Sequence, residues 1–155
     1  MPGWQALNNE IASLGATVVT VALDIDPALA KPWNDLVNPN HPSLVDTLHI
    51  TNSLFGFTNI PMAAWIDEEG NLVRPAEGAS IERSPLRDMQ IPEGLPEQLS
   101  KMMHAVKAIP DDAEAYREAI LDWVRKGSDS EFALTPDEVI ARSQPRSDNE
   151  ARATA

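Results

Sequence analysis

The sequence predicts an α/β fold that continues into a run of helices, and three observations lead there. Residues 16–23, Ala-Thr-Val-Val-Thr-Val-Ala-Leu, are uncharged and rich in β-branched side chains. A second short apolar segment, Met62 to Ile66, runs into an acidic turn containing Gly70 and then into Leu72 and Val73. From residue 95 onward, apolar positions recur at helical spacing.

The elements follow in order. Trp4, Leu7, Ile11 and Leu14 share one face of a helix over 3–14, and Gly15 ends it. In the strand at 16–23, Val19, Val21 and Leu23 alternate with Val18, Thr20 and Ala22. Neither face is charged, so both faces are expected to be covered, as in an α/β sheet. Asp26 is placed to cap a helix that opens with Pro27 and runs to Val37. After the loop Asn38 to Pro42, residues 43–55 are expected to form one helix with Leu44, Val45, Leu48 and Phe55 inward. Gly56 to Pro61 then leads into the strand Met62–Ile66, the turn Asp67–Asn71 and a return strand that Pro75 stops.

Between Pro75 and Pro96, proline, glycine, serine and charge replace any period, which reads as a linker or an irregular excursion. Leu95, Leu99, Met102, Met103 and Val106 then mark a helix over 95–108. Asp111 with Glu114 has capping-box spacing ahead of a helix over 112–126, expected to bury Tyr116, Ala119, Ile120, Trp123 and Val124. Thr135 with Glu138 is a second such box, opening a short helix to Ser143. Ser147 to Glu150 repeats the spacing close to the last residue, so both ends of the chain are expected to belong to longer elements.

Charge and composition narrow the function. With 24 acidic and 12 basic residues, the net charge of −12 repels phosphate backbones and anionic lipid. Nucleic acid and membrane are therefore not expected partners, whereas a protein or peptide is. The chain has no cysteine, which removes disulfides, thiolate nucleophiles and cysteine-ligated metals from its own chemistry. No cofactor is expected. Met1-Pro2-Gly3-Trp4 carries no leader-like pattern and no apolar run is long enough to span a bilayer, so the expected compartment is cytoplasmic.

Individual side chains each admit two readings. Asp24 and Asp26 are either a carboxylate pair for metal or acid–base work or caps for the next helix, with capping preferred. His41, His49 and His104 fit no zinc spacing. Arg74, Arg83 and Arg87 suit an anion, but they stand among Glu77, Glu82 and Asp88 and read as solvated linker charge. Met89, Met102 and Met103 read as adaptable packing, and Tyr116 with Trp123 as helix–helix packing. No hydrolase elbow or phosphate loop is present, and no residue is assigned as catalytic or metal-binding.

The stretch Leu54-Phe55-Gly56-Phe57-Thr58-Asn59-Ile60-Pro61, followed by Met62 to Val73, resembles the second signature half of thioredoxin-like proteins. There, a cis proline precedes a core strand that passes through an acidic, glycine-containing turn into its hairpin partner. The helix after the strand at 16–23 resembles the insertion of TlpA/ResA and AhpC/TSA redoxins, and residues 110–150 resemble the helical extension of some ResA-like proteins. The resemblance covers residues 4–75. It implies an incomplete thioredoxin-like domain at 1–75, a linker at 76–94 and a helical extension at 95–155. It also implies a cis-proline at Pro61, with Ile60 offering backbone groups to a substrate peptide.

The family's Cys-x-x-Cys would fall before Trp4, so no nucleophile carries over to this chain. The resemblance thus implies a relative of thiol–disulfide oxidoreductases that is inactive in this form. In such sheets one strand lies between those matching 16–23 and 62–66. Without it both present unpaired edges, and the isolated chain is expected to be poorly stable or to self-associate. Three readings stay open: a noncatalytic or truncated redoxin relative, an interaction module using the helices at 95–143, and a fragment with no independent role.

Overall fold

In a computed structural model, which describes residues 2–84 and 87–144, the first helix, α1 (Pro2–Ala12), is tied to the chain that follows by one side chain. Asn8 is buried, and its carboxamide oxygen accepts from the Val18 N–H at 2.9 Å and the Thr17 hydroxyl at 3.2 Å. Gly15, at a φ of 88°, makes the reversal between them. Because Asn8 holds Val18, the strand that follows is short: β1 is Thr20–Ala22 rather than the whole of 16–23. The expectation of cover on both faces fails with it, since Val19 is 50% exposed and β1 is only half-buried.

Helix α2 (Pro27–Val37) opens as the sequence predicts, with Asp26 accepting from the Ala28 N–H at 2.9 Å and proline at the first position. Leu29, Trp33 and Leu36 lie exposed along its outer side. The single helix expected over 43–55 is corrected. Ser43–Val45 form β2, parallel to β1 with Val21 opposite Leu44, and only Ile50–Phe55 are helical, as α3. The reason is tertiary: the Ser43 hydroxyl lies 3.1 Å from that of Thr20 and 2.9 Å from the Asn34 side chain, which draws this stretch alongside β1. Leu44 and Leu48, expected inward, are exposed.

Strand β3 (Met62–Ile66) pairs antiparallel with β4 (Leu72–Gly78) through the Asp67–Asn71 turn. In that turn Asp67 accepts from the N–H groups of Glu69 and Asn71. Pro75 does not stop β4, contrary to expectation. Trp65 pairs with Arg74 and Ala63 with Glu77, so β4 carries one extra residue between the two pairs, and the bulge absorbs the proline's missing donor. The excursion after β4 also contributes to the interior, because Ala79 and Ile81 are buried. β1 and β3 belong to separate two-stranded sheets, β1 with β2 and β3 with β4, rather than to one shared sheet.

Helix α4 (Glu97–Ala108) buries none of its side chains, and Leu99, Met102 and Val106 stay exposed where the sequence predicts an inward face. Helix α5 (Ala113–Lys126) carries the interior instead, with Ala119, Ile120 and Leu121 buried against Leu7, Ile11 and Trp65. The capping box at Asp111 and Glu114 is absent. Asp111 is drawn away by Arg83 at 3.2 Å and Arg87 at 3.5 Å. The box at Thr135 and Glu138 forms with both reciprocal bonds and opens α6 (Pro136–Arg142). The box read at Ser147 to Glu150 lies outside the described residues. The fold class is thus mixed α/β with two small sheets and helices on both sides in sequence.

Leu121 is 2% exposed and central to this core. Leu121→Ala should cost about 2–5 kcal/mol, read as a lowered urea midpoint, the value set by how far the site collapses. The single tyrosine offers a second check. Burial pushes the Tyr116 hydroxyl up to about 12 from its ordinary 10.0. The folded state therefore holds this proton more tightly, and the stability it adds below pH 10 disappears as pH rises through about 12. Ultraviolet titration should show tyrosinate appearing well above pH 10 in the native protein and near 10 in urea.

Candidate functional site

Asp46 sets the approach to the region the sequence singles out. Its carboxylate accepts from the Thr51 N–H and the Thr51 hydroxyl, each at 2.7 Å, and this fixes the passage from β2 into α3. Chiefly for that reason, through the Thr51 hydroxyl first and its N–H second, the Asp46 carboxyl lies at about 2 instead of 3.8. His49 stands inside the same turn at a φ of 54°, with its Nε2 enclosed and without a hydrogen-bond partner among the described residues. Gly56, at a φ of 71°, ends α3, and the N–H groups of Gly56 and Phe57 both donate to the Asn52 carbonyl.

The chain then tightens around one methionine. The N–H groups of Thr58 and Asn59 point at the Met62 sulfur from 3.2 and 3.3 Å. The Ile60 N–H donates to the Asn59 side-chain oxygen at 2.8 Å. The Ile60–Pro61 bond is cis, and the Pro61 carbonyl accepts from the Ala79 N–H at 3.1 Å. Ile60 itself is 77% exposed. Leu23, at the end of β1, joins His49, Asn52 and Phe57 to Ile60 around an open depression of about 440 Å³.

This lining holds an imidazole, two carboxamides, a hydroxyl and apolar surface, with no carboxylate and no thiol. Such groups suit hydrogen bonding and apolar contact. Ile60 and Pro61 are the two site residues named from the sequence; Ile60 lines the depression, and Pro61 follows it in the chain without lining it. Leu23, His49 and Asn52 are additions that sequence reasoning missed. They come from two other elements, and no local pattern marks them.

The remaining candidates are dispersed. Asp26 is a helix cap, and among the described residues no group of three or more histidines, cysteines or acids is placed to hold a metal ion. His41 is buried beside the Thr20 hydroxyl at 3.5 Å, and desolvation lowers its pKa. Arg83 is exposed and paired with acids, as a solvated linker charge would be, but Arg87 and Arg74 are both largely covered. The Arg74 guanidinium lies 5.0 Å from the centre of the Trp65 ring, bonds both Glu77 oxygens at 2.7 and 2.8 Å and reaches the Phe132 carbonyl at 3.1 Å. Tyr116 and Trp123 pack on the strand residue Trp65, within the cluster that also holds Leu7 and Ile11 of α1. Met89 and Met102 are exposed.

No family model, curated protein or solved structure matches this chain. Among the described residues, no helix is long and apolar enough to cross a membrane.

The Asp46 turn yields a direct check. A depressed carboxyl pKa adds stability above pH 3.8 that is lost as pH falls through about 2. Thr51→Val removes the hydroxyl and keeps the N–H. In carbon-detected NMR titration the Asp46 carboxyl of this variant should move up toward 3.8, and the acid loss of stability between 3.8 and 2 should become shallower.

Proposed function

We propose that this chain is a thioredoxin-like, redoxin-related protein that does no thiol chemistry with its own residues and holds an extended peptide at the depression beside Ile60. One observation carries the reading: a depression lined by hydrogen-bonding groups and apolar surface, without a thiol or carboxylate, opens where the end of β1 meets the approach to the β3–β4 hairpin. The order of α1, β1, the α2 insertion and that hairpin supports the redoxin relationship. The lack of cysteine restricts the role to recognition, since exchange between sulfurs needs a sulfur nucleophile.

Asn59 regulates access in this reading. Its side chain occupies the Ile60 N–H, so a peptide that pairs with Ile60 must displace it. Binding of a labelled, carboxymethylated insulin B chain, followed by fluorescence anisotropy, should tighten several-fold in Asn59→Ala, as expected for about 1 kcal/mol of released hydrogen bond. Insulin disulfide reduction by the same protein should stay at the buffer rate. Unaltered affinity in the variant, or catalysed reduction, would each remove the proposal.

A second reading, an interaction module using the C-terminal helices, is favoured by α4 alone, whose Leu99, Met102 and Val106 lie on one exposed side. Met102→Glu separates the two. It should abolish partner capture by α4 and leave peptide binding at Ile60 unchanged.

A further inference from the structure

Five methionines are the only sulfur in this chain, because it has no cysteine. A thioether is therefore the one group here open to two-electron oxidation at sulfur. Among the described residues only the Met62 sulfur accepts hydrogen bonds. Met89 and Met102 are exposed, and Met103 is half-buried on α4.

Met62 is held at both ends. Its backbone stands opposite Gly78 in the β3–β4 ladder, and the preceding Pro61 carbonyl accepts from Ala79 at 3.1 Å. Its side chain turns back over the corner, where the N–H groups of Thr58 and Asn59 converge on the sulfur from 3.2 and 3.3 Å, with the Thr58 hydroxyl at 3.9 Å. Successive amides aimed at one point make a concavity that suits an anion or a strongly polar oxygen. A thioether sulfur is a weak acceptor and serves these donors poorly. Among the described residues neither N–H has another acceptor.

We propose that Met62 is a site of oxidation to the sulfoxide by hydrogen peroxide, and that the added oxygen takes over the N–H groups of Thr58 and Asn59. A sulfur lone pair attacks one peroxide oxygen, so an S–O bond forms as the O–O bond breaks. Sulfur gives up two electrons, and the departing hydroxide takes the proton of the transferred hydroxyl and leaves as water. Peroxide and sulfoxide are both neutral, so the net charge of −12 does not oppose the step. Met62 is half-buried and both donor residues are exposed, which leaves the sulfur within reach of an oxidant little larger than water. N–H bonds to oxygen at the usual ~2.9 Å set the sulfur back from the corner. Thr58, Asn59 and Ile60 line the depression, so its wall expresses the oxidation state of one sulfur. The inference needs only the Met62 contacts and stands apart from what the depression binds.

The test uses the whole chain carrying Met89→Leu, Met102→Leu and Met103→Leu, with oxidation at Met62 followed by peptide mass mapping. Under millimolar hydrogen peroxide Met62 should gain one oxygen while the circular dichroism of the folded state persists. In NMR spectra the amide protons of Thr58 and Asn59 should then move downfield and exchange about fivefold more slowly, as a stronger acceptor requires. The amides of Thr20 and Asn71 should not change. Met62→Gln, which brings a carboxamide oxygen to the same reach, should give both changes without peroxide. Met62→Leu should give neither, before or after peroxide. The inference is overturned if Met62 stays unoxidised in the folded chain while it reacts in urea. It is equally overturned if oxidised Met62 leaves the Thr58 and Asn59 amides as they were, or unfolds the chain.

Discussion

The fold turns on the environment of a single indole. Trp65, 5% exposed, stacks on Trp123 with ring centres 5.1 Å apart, donates from its Nε1 to the Tyr116 hydroxyl at 2.9 Å, and carries the Arg74 guanidinium over its other surroundings at 5.0 Å. The partners come from two other elements: Tyr116 and Trp123 from α5, Arg74 from β4. Arg74 in turn fixes Glu77 and the Phe132 carbonyl, which brings the chain ahead of α6 against the hairpin. A large ring with one polar atom suits this position, because its apolar faces bury area while its one donor finds an acceptor.

That arrangement explains how an acidic chain with two very small sheets has an interior at all. Three-residue ladders cannot by themselves hold parallel strands. The apolar interior is assembled by α1 and α5 from sequence positions more than a hundred residues apart, with Trp65 and Ile81 between them. Arg117 and Arg125 on α5 reach Glu10 on α1, adding charge complementarity to the same contact at its exposed margin. The periphery is correspondingly weak in cover: α2 and α4 both display apolar rows that no other part of the described chain meets.

Local chemistry was the legible part of the sequence. Asp26 with Pro27, Thr135 with Glu138, Gly15 and Gly56 act through neighbours within five residues, and each does what its type and spacing dictate. The mistakes arose where a distant group decided the outcome. Ser43 to Val45 became a strand because Thr20 and Asn34 draw Ser43 into place, and Asp111, shared between two arginines and the Ala113 N–H, forms no reciprocal box with Glu114. Arg74 looked like linker charge because its ring partner is nine positions away on another strand. For the site, the Ile60–Pro61 corner was implied by the resemblance that its flanking strand and turn carry, whereas His49 and Leu23 reach the depression only through folding. The Ile60 N–H, expected to face a peptide, is instead taken by the residue beside it.

The bond from the Leu134 N–H to the Val73 carbonyl, at 3.1 Å, has a bearing on assembly. It occupies an acceptor of β4, and Pro75 in the same strand has no donor to give. The hairpin side of the molecule is thereby a poor template for edgewise addition, while among the described residues β2 pairs with β1 alone. Head-to-tail stacking into fibres needs a receptive margin on both flanks of every unit. With the β4 flank so occupied, that requirement is not met on the hairpin side.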